Sequence, residues 1–256
     1  MNIRFNKYQG TGNDFIMINN MDGKISLTRE QIVQACDRKF GIGSDGLIIL
    51  EKMEGVDFYM NFYNPDGSQS FCGNGSRCAV KFAGSLGVST GSGMFQAIDG
   101  QHEFKVESDR IMIHMKDVDG IEMNGSDYVM NTGSPHLMCY VDNVSRVEII
   151  PEARRIRYSE KYFAAGINVN FVEEVENGIT MRTYERGVED ETLSCGTGVT
   201  AAALSYAFRH PGSDSLPVKT RGGMLEVKYK QLEKSRFTDI WLCGPAEFVF
   251  SGEMSL

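Results

Sequence analysis

The chain has 256 residues, of which 41% are hydrophobic, so it can bury one large core or two of ordinary size. Its formal net charge of −8 and its scattered lysine and arginine residues argue against non-specific nucleic-acid binding, which needs a basic surface. The N-terminus lacks the pattern of a secretion signal and no apolar run reaches membrane-spanning length, so we expect a cytoplasmic protein with no membrane partner.

The predicted elements are mostly strands, with three helices. The first helix is expected to begin at Thr28, because Thr28 and Gln31 have the spacing of a capping box. Alternation of apolar and polar residues predicts strands at 57–63, 110–115, 178–184 and 224–230.

Each of the other two predicted helices begins directly after a cysteine. FCGNGSRCA, residues 71–79, leads into apolar residues at helical spacing, and Gly87 can end that helix. SCGTGVTAA, residues 194–202, leads into a segment that is apolar on nearly all sides, so we expect a deeply buried helix. Cys72 and Cys195 are thus both predicted at a helix N-terminus.

Three short matches indicate an internal duplication. TGND recurs as TGSP and FYN recurs as TYE, each 121 residues later, and CGNG recurs as CGTG 123 residues later. Because the three matches keep their order at nearly one offset, duplication explains them better than chance does. We place the two halves at 1–117 and 118–256.

A cysteine at the start of a helix suits acid–base chemistry. The first turn offers unpaired N–H groups and a partial positive charge, which bind anions and favour a thiolate. Neighbouring glycines are expected to let a carboxylate approach these donors, and they are Gly73, Gly75, Gly196 and Gly198. The remaining cysteines are interpreted as packing residues, and they are Cys36, Cys78, Cys139 and Cys243.

Two equivalent thiols predict one type of reaction. If the two halves face each other across a cleft, both thiols point at one ligand α-carbon. Inverting a stereocentre by proton transfer needs a base on one face and an acid on the other, so a thiolate and a thiol suffice. We therefore predict a two-base epimerase or racemase that needs no metal and no cofactor.

Longer motifs resemble the diaminopimelate epimerase family over nearly the whole chain. They are GTGNDF at 10–15, NPDGSQSFCGNGSRC at 64–78, TGSPH at 132–136, NVNF at 168–171 and YERGVEDETLSCGTG at 184–198. The resemblance implies an α+β fold of two pseudo-symmetric halves, each a curved mixed β-sheet around a central helix, with the active site in the cleft between them. It also allows a last strand near 246–254 to pair with the N-terminal half.

The resemblance further implies an activity and the residues that perform it. The chain would be a pyridoxal-independent, cytoplasmic, homodimeric isomerase that converts LL-2,6-diaminopimelate to the meso form in lysine biosynthesis. Cys72 and Cys195 are implied as the acid and base, with support from His136 and Glu185. The implied substrate contacts are Asn13, Asn64, Gly73, Asn74, Asn168, Glu185, Arg186, Gly196 and Thr197. Two positions depart from the family pattern, because Ser134 stands where many members carry Asn and Gly46 stands where some carry Gln.

The residues alone leave alternatives open. Asn64 before Pro-Asp-Gly is also typical of a turn, and a lone histidine such as His136 is more often a structural hydrogen-bonding residue. The same two thiols would serve another amino acid, such as proline, hydroxyproline or histidine, or would form a reversible disulfide in a non-catalytic binding or redox protein. We assign no role to His102, His114 or His210.

Overall fold

The computed structural model describes residues 2–256. Its strands, in chain order, are β1 Asn2–Gly10, β2 Asn13–Asn20, β3 Gly46–Glu51, β4 Phe58–Tyr63, β5 Ser92–Ala97, β6 Gly100–Glu107, β7 Arg110–Met115, β8 Val118–Asp119, β9 Glu122–Asn124, β10 Asp127–Asn131, β11 Pro135–Tyr140, β12 Asn168–Val175, β13 Gly178–Glu185, β14 Asp190–Thr192, β15 Ser215–Thr220, β16 Gly223–Glu233, β17 Arg236–Gly244 and β18 Glu247–Ser255. Its α-helices are α1 Arg29–Cys36, α2 Gly73–Ser85, α3 Ile149–Arg157 and α4 Gly196–Arg209, and Val144–Arg146 forms a 3-10 turn.

The chain divides into two compact units. Unit 1 runs to Ile113 and includes Gly244–Leu256, whereas unit 2 is His114–Cys243. The first boundary lies inside β7, a few residues before the position at 117 that the sequence suggested. The C-terminal residues join unit 1 because β18 pairs with β1 in antiparallel register along nearly its whole length.

Unit 1 is a mixed sheet with the strand order β18-β1-β2-β3-β4-β5-β6-β7. From β1 onward, successive pairings are antiparallel, parallel, antiparallel, parallel, antiparallel and antiparallel. The two faces of β2 show the layers of the core, because successive side chains of a strand point to opposite faces. Phe15 and Met17 pack with α2, whereas Ile16 and Ile18 pack with α1.

Unit 2 repeats this architecture. Its strand order is β9-β10-β11-β12-β13-β15-β16-β17-β8, and from β10 to β17 the pairings follow the same series as in unit 1. On β12, Val169 and Phe171 pack with α3, whereas Val172 packs with α4. Each unit is therefore a mixed sheet with a central helix on one face and a shorter helix on the other, as a duplication predicts.

The predicted helix starts are confirmed. The Thr28 side chain accepts a hydrogen bond from the Gln31 N–H, and the Gln31 side chain accepts one from the Thr28 N–H, which completes the capping box. Helices α2 and α4 begin directly after Cys72 and Cys195, and Gly87 follows α2 with a φ of 71°. The four predicted strands are present as β4, β7, β13 and β16.

The predicted number of helices is wrong, because α3 was missed. Pro151 lies in the first turn of α3, where its missing N–H costs no intrahelical bond. Ile149 and Ala153, one turn apart, are buried against β12 and β13. Helix α3 lies between β11 and β12, as α1 lies between β2 and β3. The duplication, applied to α1, therefore predicts a helix at this place.

Residues 2–256 lack two features that would indicate other classes of function. No helix in this range has the length and apolar character needed to cross a membrane. In the same range, no group of three or more His, Cys, Asp or Glu side chains is arranged to hold a metal ion.

Candidate active site

Cys72 and Cys195 have the same local structure in their respective units. Each is the N-cap residue of a central helix, with φ and ψ of −133° and 112° for Cys72 and −126° and 113° for Cys195. The Cys72 Sγ accepts a hydrogen bond from the Gly75 N–H at 3.4 Å, and the Cys195 Sγ lies 3.5 Å from the Thr197 Oγ1. Both cysteines thus lie at the positive dipole end of a helix, which stabilises a thiolate, but only the Cys72 sulfur caps its helix by accepting from a backbone N–H.

The other four cysteines are packing residues, as interpreted from the sequence. Cys36, Cys78, Cys139 and Cys243 are all buried. Burial raises the pKa of the Cys36 and Cys78 thiols, and it raises that of Cys139 to about 12. These three thiols therefore stay protonated at neutral pH.

Close packing against the sheet favours glycine at positions 75 and 198. A Cβ at Gly198 would lie 2.8 Å from the Asn170 Oδ1 and 3.2 Å from the His136 Cε1, and a Cβ at Gly75 would lie 3.0 Å from the Ile48 Cδ1. Both glycines face the sheet, where they let it pack closely against the helix. That they also open the backbone to a carboxylate stays a prediction.

A tight turn positions Asn13 in unit 1. Thr11 and Gly12 connect β1 to β2 with φ values of 50° and 89°, as in a two-residue type I′ turn. A β-branched residue adopts such a φ only at a cost. The Thr11 Oγ1 accepts a hydrogen bond at 3.0 Å from the Nη2 of Arg77, a completely buried residue of α2, and the same Nη2 donates to the Asn74 Oδ1 at 2.9 Å. Arg77 therefore joins the turn to the start of α2.

The side-chain amides of Asn13 and Asn74 are fixed relative to each other. The Asn74 Nδ2 donates to the Asn13 Oδ1, and the Asn13 Nδ2 donates to the Asp45 Oδ2 at 3.0 Å. Because a carboxylate only accepts hydrogen bonds, Asp45 sets which way the Asn13 amide points. The Asn13 amide is thereby held between Asn74 and Asp45.

A charged network anchors this side of the turn. Lys7 is buried and its Nζ lies 2.6 Å from the Asp14 Oδ2, while the Arg38 Nη2 lies 2.6 Å from the Asp14 Oδ1 and 2.7 Å from the Asp45 Oδ1. Burial acts to raise the pKa of Asp14, but hydrogen bonds from Arg38 and Lys7 outweigh it and lower the pKa. Asp14 is therefore ionised at neutral pH and holds both cations.

Asn64 lies in a loop that it closes itself. Its Nδ2 donates to the Ser68 O at 3.2 Å, the Ser68 Oγ at 3.0 Å and the Ser70 Oγ at 3.2 Å. Its backbone N–H donates to the Ser68 O at 2.8 Å. These contacts match the turn-forming alternative that the sequence left open for this residue.

In unit 2, His136 connects β11 to the start of α4. It is completely buried, with its Nε2 2.9 Å from the Thr197 Oγ1 and its Nδ1 3.2 Å from the Asn170 Nδ2. Because an amide Nδ2 only donates, the hydrogen bonding assigns the acceptor role to Nδ1 and the proton to Nε2. The Thr197 hydroxyl then accepts from His136 and can donate its own proton to the Cys195 Sγ, 3.5 Å away.

His136 acts in this chain as a neutral imidazole. Burial, together with the positive charge of Arg186, lowers the pKa of His136 to about 3. The ring is therefore uncharged at neutral pH, so it orients Thr197 and supplies no positive charge to the thiol. The Thr183 Oγ1 donates to the Asn170 Oδ1 at 2.9 Å and so fixes the amide that sets the His136 tautomer.

Asn168 holds the backbone of the turn that follows β13. Its Oδ1 accepts from the Arg186 N–H at 2.8 Å. Its Nδ2 donates to the Ser134 Oγ at 2.8 Å and to the Pro135 O at 2.9 Å. Asn168 therefore links the start of β11 to the turn that carries Glu185 and Arg186.

The exposed Arg186 side chain extends over the loop before β12. Its Nη1 donates to the Ala165 O at 2.8 Å. Gly166 has a φ of 72°, and a Cβ there would lie 2.4 Å from the Arg186 Cδ, so this position needs glycine for both space and conformation. Glu189 closes the turn from the other end, because its N–H donates to the Glu185 O at 2.8 Å.

The predicted site residues fall into groups within each unit. In unit 1 the start of α2 joins Cys72, Gly73, Asn74 and Asn13, and Asn64 lies in its own loop. In unit 2 the start of α4 joins Cys195, Gly196, Thr197 and His136, and the β13 turn joins Asn168, Glu185 and Arg186.

Several residues that hold these groups were not predicted from the sequence. A signal existed for Asn170, because Asn168 and Asn170 alternate along β12 and so share the face on which α4 packs. The others have no local signal, and they are Arg77, Asp45 and Thr183.

Comparison with known proteins connects this geometry to a family. The family model described as diaminopimelate epimerase matches residues 5–126 and again residues 128–249, in agreement with the duplication. The chain is 48% identical over 252 residues to the diaminopimelate epimerase of Flavobacterium psychrophilum, covering 95% of this chain and 97% of the relative. It is 40% identical over 259 residues to that of Chlorobaculum tepidum, covering 96% of this chain and 99% of the relative.

Solved structures share the fold at low sequence identity. A PhzF-family phenazine biosynthesis protein of Bacillus anthracis has a TM-score of 0.73 at 17% identity, with 100% of both chains covered. A hydroxyproline epimerase of Agrobacterium vitis has a TM-score of 0.69 at 13% identity, with 100% of this chain and 93% of the other covered. These likenesses confirm the predicted α+β fold.

Proposed function

The chain belongs to the diaminopimelate epimerase family, and from that premise we propose that Cys72 and Cys195 are the acid and base of its reaction. It is an isomerase that interconverts LL- and meso-2,6-diaminopimelate, a step in lysine biosynthesis. The observation that supports the proposed pair is their matched placement, each at the N-cap of a central helix with nearly the same backbone dihedral angles.

In the proposed mechanism, the two thiols act on opposite faces of one α-carbon. One thiolate removes the α-proton and becomes a thiol, while the other thiol donates its proton to the opposite face and becomes a thiolate. The carbon is thereby inverted with no net change in protons. The two cysteines exchange roles in the reverse direction.

Negative charge develops on the α-carboxylate as the proton leaves. The N–H groups at the two helix starts are suited to stabilise it, since donors fixed in advance need no reorganisation during the reaction. We assign this task to Gly73 and Asn74 of α2 and to Gly196 and Thr197 of α4. Thr197 also orients the Cys195 sulfur through its contact with His136.

The far end of the substrate carries a second carboxylate and a second amino group. Arg186 is suited to the carboxylate, because its planar guanidinium can donate two parallel hydrogen bonds. Glu185 is suited to the ammonium group. The remaining proposed contacts are the amides of Asn13, Asn64 and Asn168.

Proton exchange with solvent tests the proposed pair. The protein is incubated with LL-diaminopimelate in heavy water without added cofactor, and deuterium at the α-carbon and meso product are measured. The wild type is expected to show both, whereas Cys72→Ser and Cys195→Ser are expected to lose inversion. Cys78→Ala, which changes a buried thiol in the same helix as Cys72, is the matched control and is expected to stay active. Unchanged inversion in either serine variant would remove that residue from the mechanism.

The same assay separates the alternatives. Deuterium incorporation into proline, hydroxyproline or histidine, with none into diaminopimelate, would assign a different substrate. A redox protein would exchange no amino acid and would instead interconvert between dithiol and disulfide forms. We expect diaminopimelate alone to exchange, with Arg186→Gln raising its KM.

We also propose a homodimer located in the cytoplasm. An exposed apolar segment of β18 supports self-association, because Phe248, Val249 and Phe250 are 54%, 52% and 45% exposed. Light scattering coupled to size exclusion should give the dimer mass for the wild type and a lower mass for Val249→Asp. Met224→Asp, which changes a residue of unit 2 that is 53% exposed, should leave the mass unchanged. A monomeric wild type would exclude the dimer. The proposed location is tested separately by cell fractionation, in which the protein is expected in the cytoplasmic fraction.

A further inference from the structure

Four aromatic rings in unit 1 form a column that ends beside Cys72. Phe58 and Phe95 have centroids 5.3 Å apart at an interplanar angle of 3°. Phe95 and His102 are 5.2 Å apart at 18°, and His102 and Phe71 are 4.2 Å apart at 6°. Because Phe58 and Phe95 have no exposed surface, the column extends from the core to the residue that precedes Cys72.

His102 is held firmly in this column. It lies on β6, directly opposite Phe95 in the antiparallel pairing with β5. Its Nε2 lies 2.8 Å from the Asp99 Oδ1, in the turn that joins the two strands, and only 8% of the residue is exposed. The hydrogen bond acts at the ring edge, so it fixes the rotation of the ring and leaves one face for Phe71.

Phe71 needs this support because of its place in the chain. The residue before an N-cap often packs on the fourth residue of the helix, and this contact fixes the angle at which the chain enters the helix. In α2 the fourth residue is Ser76, which offers no apolar surface for this purpose. The ring of His102 supplies the missing surface, because the two rings are nearly parallel with centroids 4.2 Å apart.

We propose that His102 is a positioning residue for Cys72. By stacking on Phe71 it fixes the entry of the chain into α2 and keeps the Cys72 Sγ against the Gly75 N–H. The inference rests on the proposed function, in which Cys72 exchanges a proton with the substrate. Unit 2 uses a different device, because the residue before Cys195 is Ser194 and the Cys195 sulfur contacts Thr197 instead.

Selective alkylation tests the positioning role without requiring turnover. Wild type, His102→Ala and His102→Phe are treated with iodoacetamide across a range of pH, and the labelling of each cysteine is followed by peptide mass spectrometry. In His102→Ala the pH midpoint for labelling Cys72 should rise by about half a unit, since the thiolate loses its fixed donor. Cys195 in the same samples is the internal control and should keep its midpoint. His102→Phe keeps a stacking ring and should restore the wild-type midpoint.

Steady-state kinetics with diaminopimelate give the second readout. In His102→Ala, kcat should fall about tenfold with KM changed less than about threefold, because a misplaced acid–base group affects the chemical step more than binding. His102→Phe should recover most of kcat. Asp99→Asn, whose side-chain oxygen can still accept from the ring, should stay near wild type.

Each outcome bears on the inference. A wild-type Cys72 midpoint in folded His102→Ala, equal shifts at Cys72 and Cys195, or no rescue by a folded His102→Phe would each overturn it. If His102→Ala does not fold, Phe71→Leu replaces it, because leucine keeps apolar packing but loses the flat face, and the same Cys72-specific shift is required. Should Cys72→Ser retain inversion while His102→Ala still shifts the Cys72 midpoint, the proposed function fails and the stacking role stands.

Discussion

The paired substitutions Gly75→Ala and Gly198→Ala test the packing behind the two helix starts. The two glycines occupy equivalent places in CGNG and CGTG, but their neighbours differ. A Cβ at Gly198 would lie 2.8 Å from the Asn170 Oδ1 and 3.2 Å from the His136 Cε1. A Cβ at Gly75 would lie 3.0 Å from its nearest neighbour, the Ile48 Cδ1. That atom is the end of a flexible side chain, so it can move aside.

The expected magnitudes follow from these contacts. At Gly198 the new methyl group must displace Asn170 or His136, and disturbing a buried hydrogen bond costs about 1–3 kcal/mol. Alanine offsets up to about 1 kcal/mol of this, because it is the better helix former. We therefore expect Gly198→Ala to lower the free energy of unfolding by about 1–2 kcal/mol, whereas Gly75→Ala should change it by less than about 1 kcal/mol.

Activity should separate the two variants more clearly than stability. A displaced His136 no longer orients Thr197, and a shift of a fraction of an ångström in such a group lowers kcat about tenfold. Urea unfolding monitored by circular dichroism gives the stabilities, and conversion of LL- to meso-diaminopimelate resolved by chromatography gives kcat. If Gly198→Ala matched Gly75→Ala in both measurements, the close packing of Asn170 and His136 against α4 would not be needed for function.

Three further predictions concern the same hydrogen-bonded groups. Thr197→Val removes the hydroxyl between His136 and Cys195 at nearly constant volume, so kcat should fall about tenfold or more with little change in KM, whereas Thr197→Ser should stay close to wild type in steady-state assays. The native pKa of His136, about 3, lies below its ordinary value of 6.5, so the unfolded chain binds a proton first as the pH falls. Keeping His136 neutral in the native state therefore affects stability in a pH-dependent way. Its contribution to the free energy of unfolding is complete above about pH 6.5 and is lost toward pH 3 at about 1.4 kcal/mol per pH unit. His136→Gln lacks this contribution, so its unfolding free energy should approach that of the wild type between pH 7 and pH 5 in urea titrations. Arg77→Lys cannot reproduce the buried hydrogen bonds of the guanidinium, including that to Asn74, and should cost about 2–3 kcal/mol of stability in the same titrations while raising KM.

Each of these has a clear contrary result. Thr197→Val with wild-type kcat would show that the hydroxyl does not orient the sulfur. Parallel stability profiles of His136→Gln and wild type against pH would show that the pKa of His136 is not lowered in the native state. An Arg77→Lys variant with unchanged stability and KM would show that the turn at Thr11 does not depend on the guanidinium.

Features that depend on near neighbours in the chain could be predicted from the amino-acid sequence. The capping box at Thr28, the helix starts after Cys72 and Cys195, and the alternating strands are all set within a few residues, so local patterns suffice to predict them. The internal duplication was also visible in the sequence. Because α1 lies between the second and third strands of unit 1, the duplication predicts a helix at the equivalent place in unit 2, which is α3. That helix was missed because its own signals, Pro151 in the first turn and basic residues in the last, were not combined with the repeat.

The residues that hold the reactive groups could be identified only from the folded chain. Arg77 meets Thr11 across 66 positions of sequence and His136 meets Thr197 across 61, and these distances are closed by the order of the strands. Gly75 and Gly198 stand in nearly the same motif, yet one faces a flexible isoleucine and the other a buried amide. A local pattern states which groups a residue offers, but its partners are set by the packing of distant strands, and for that reason the structure was needed to find them.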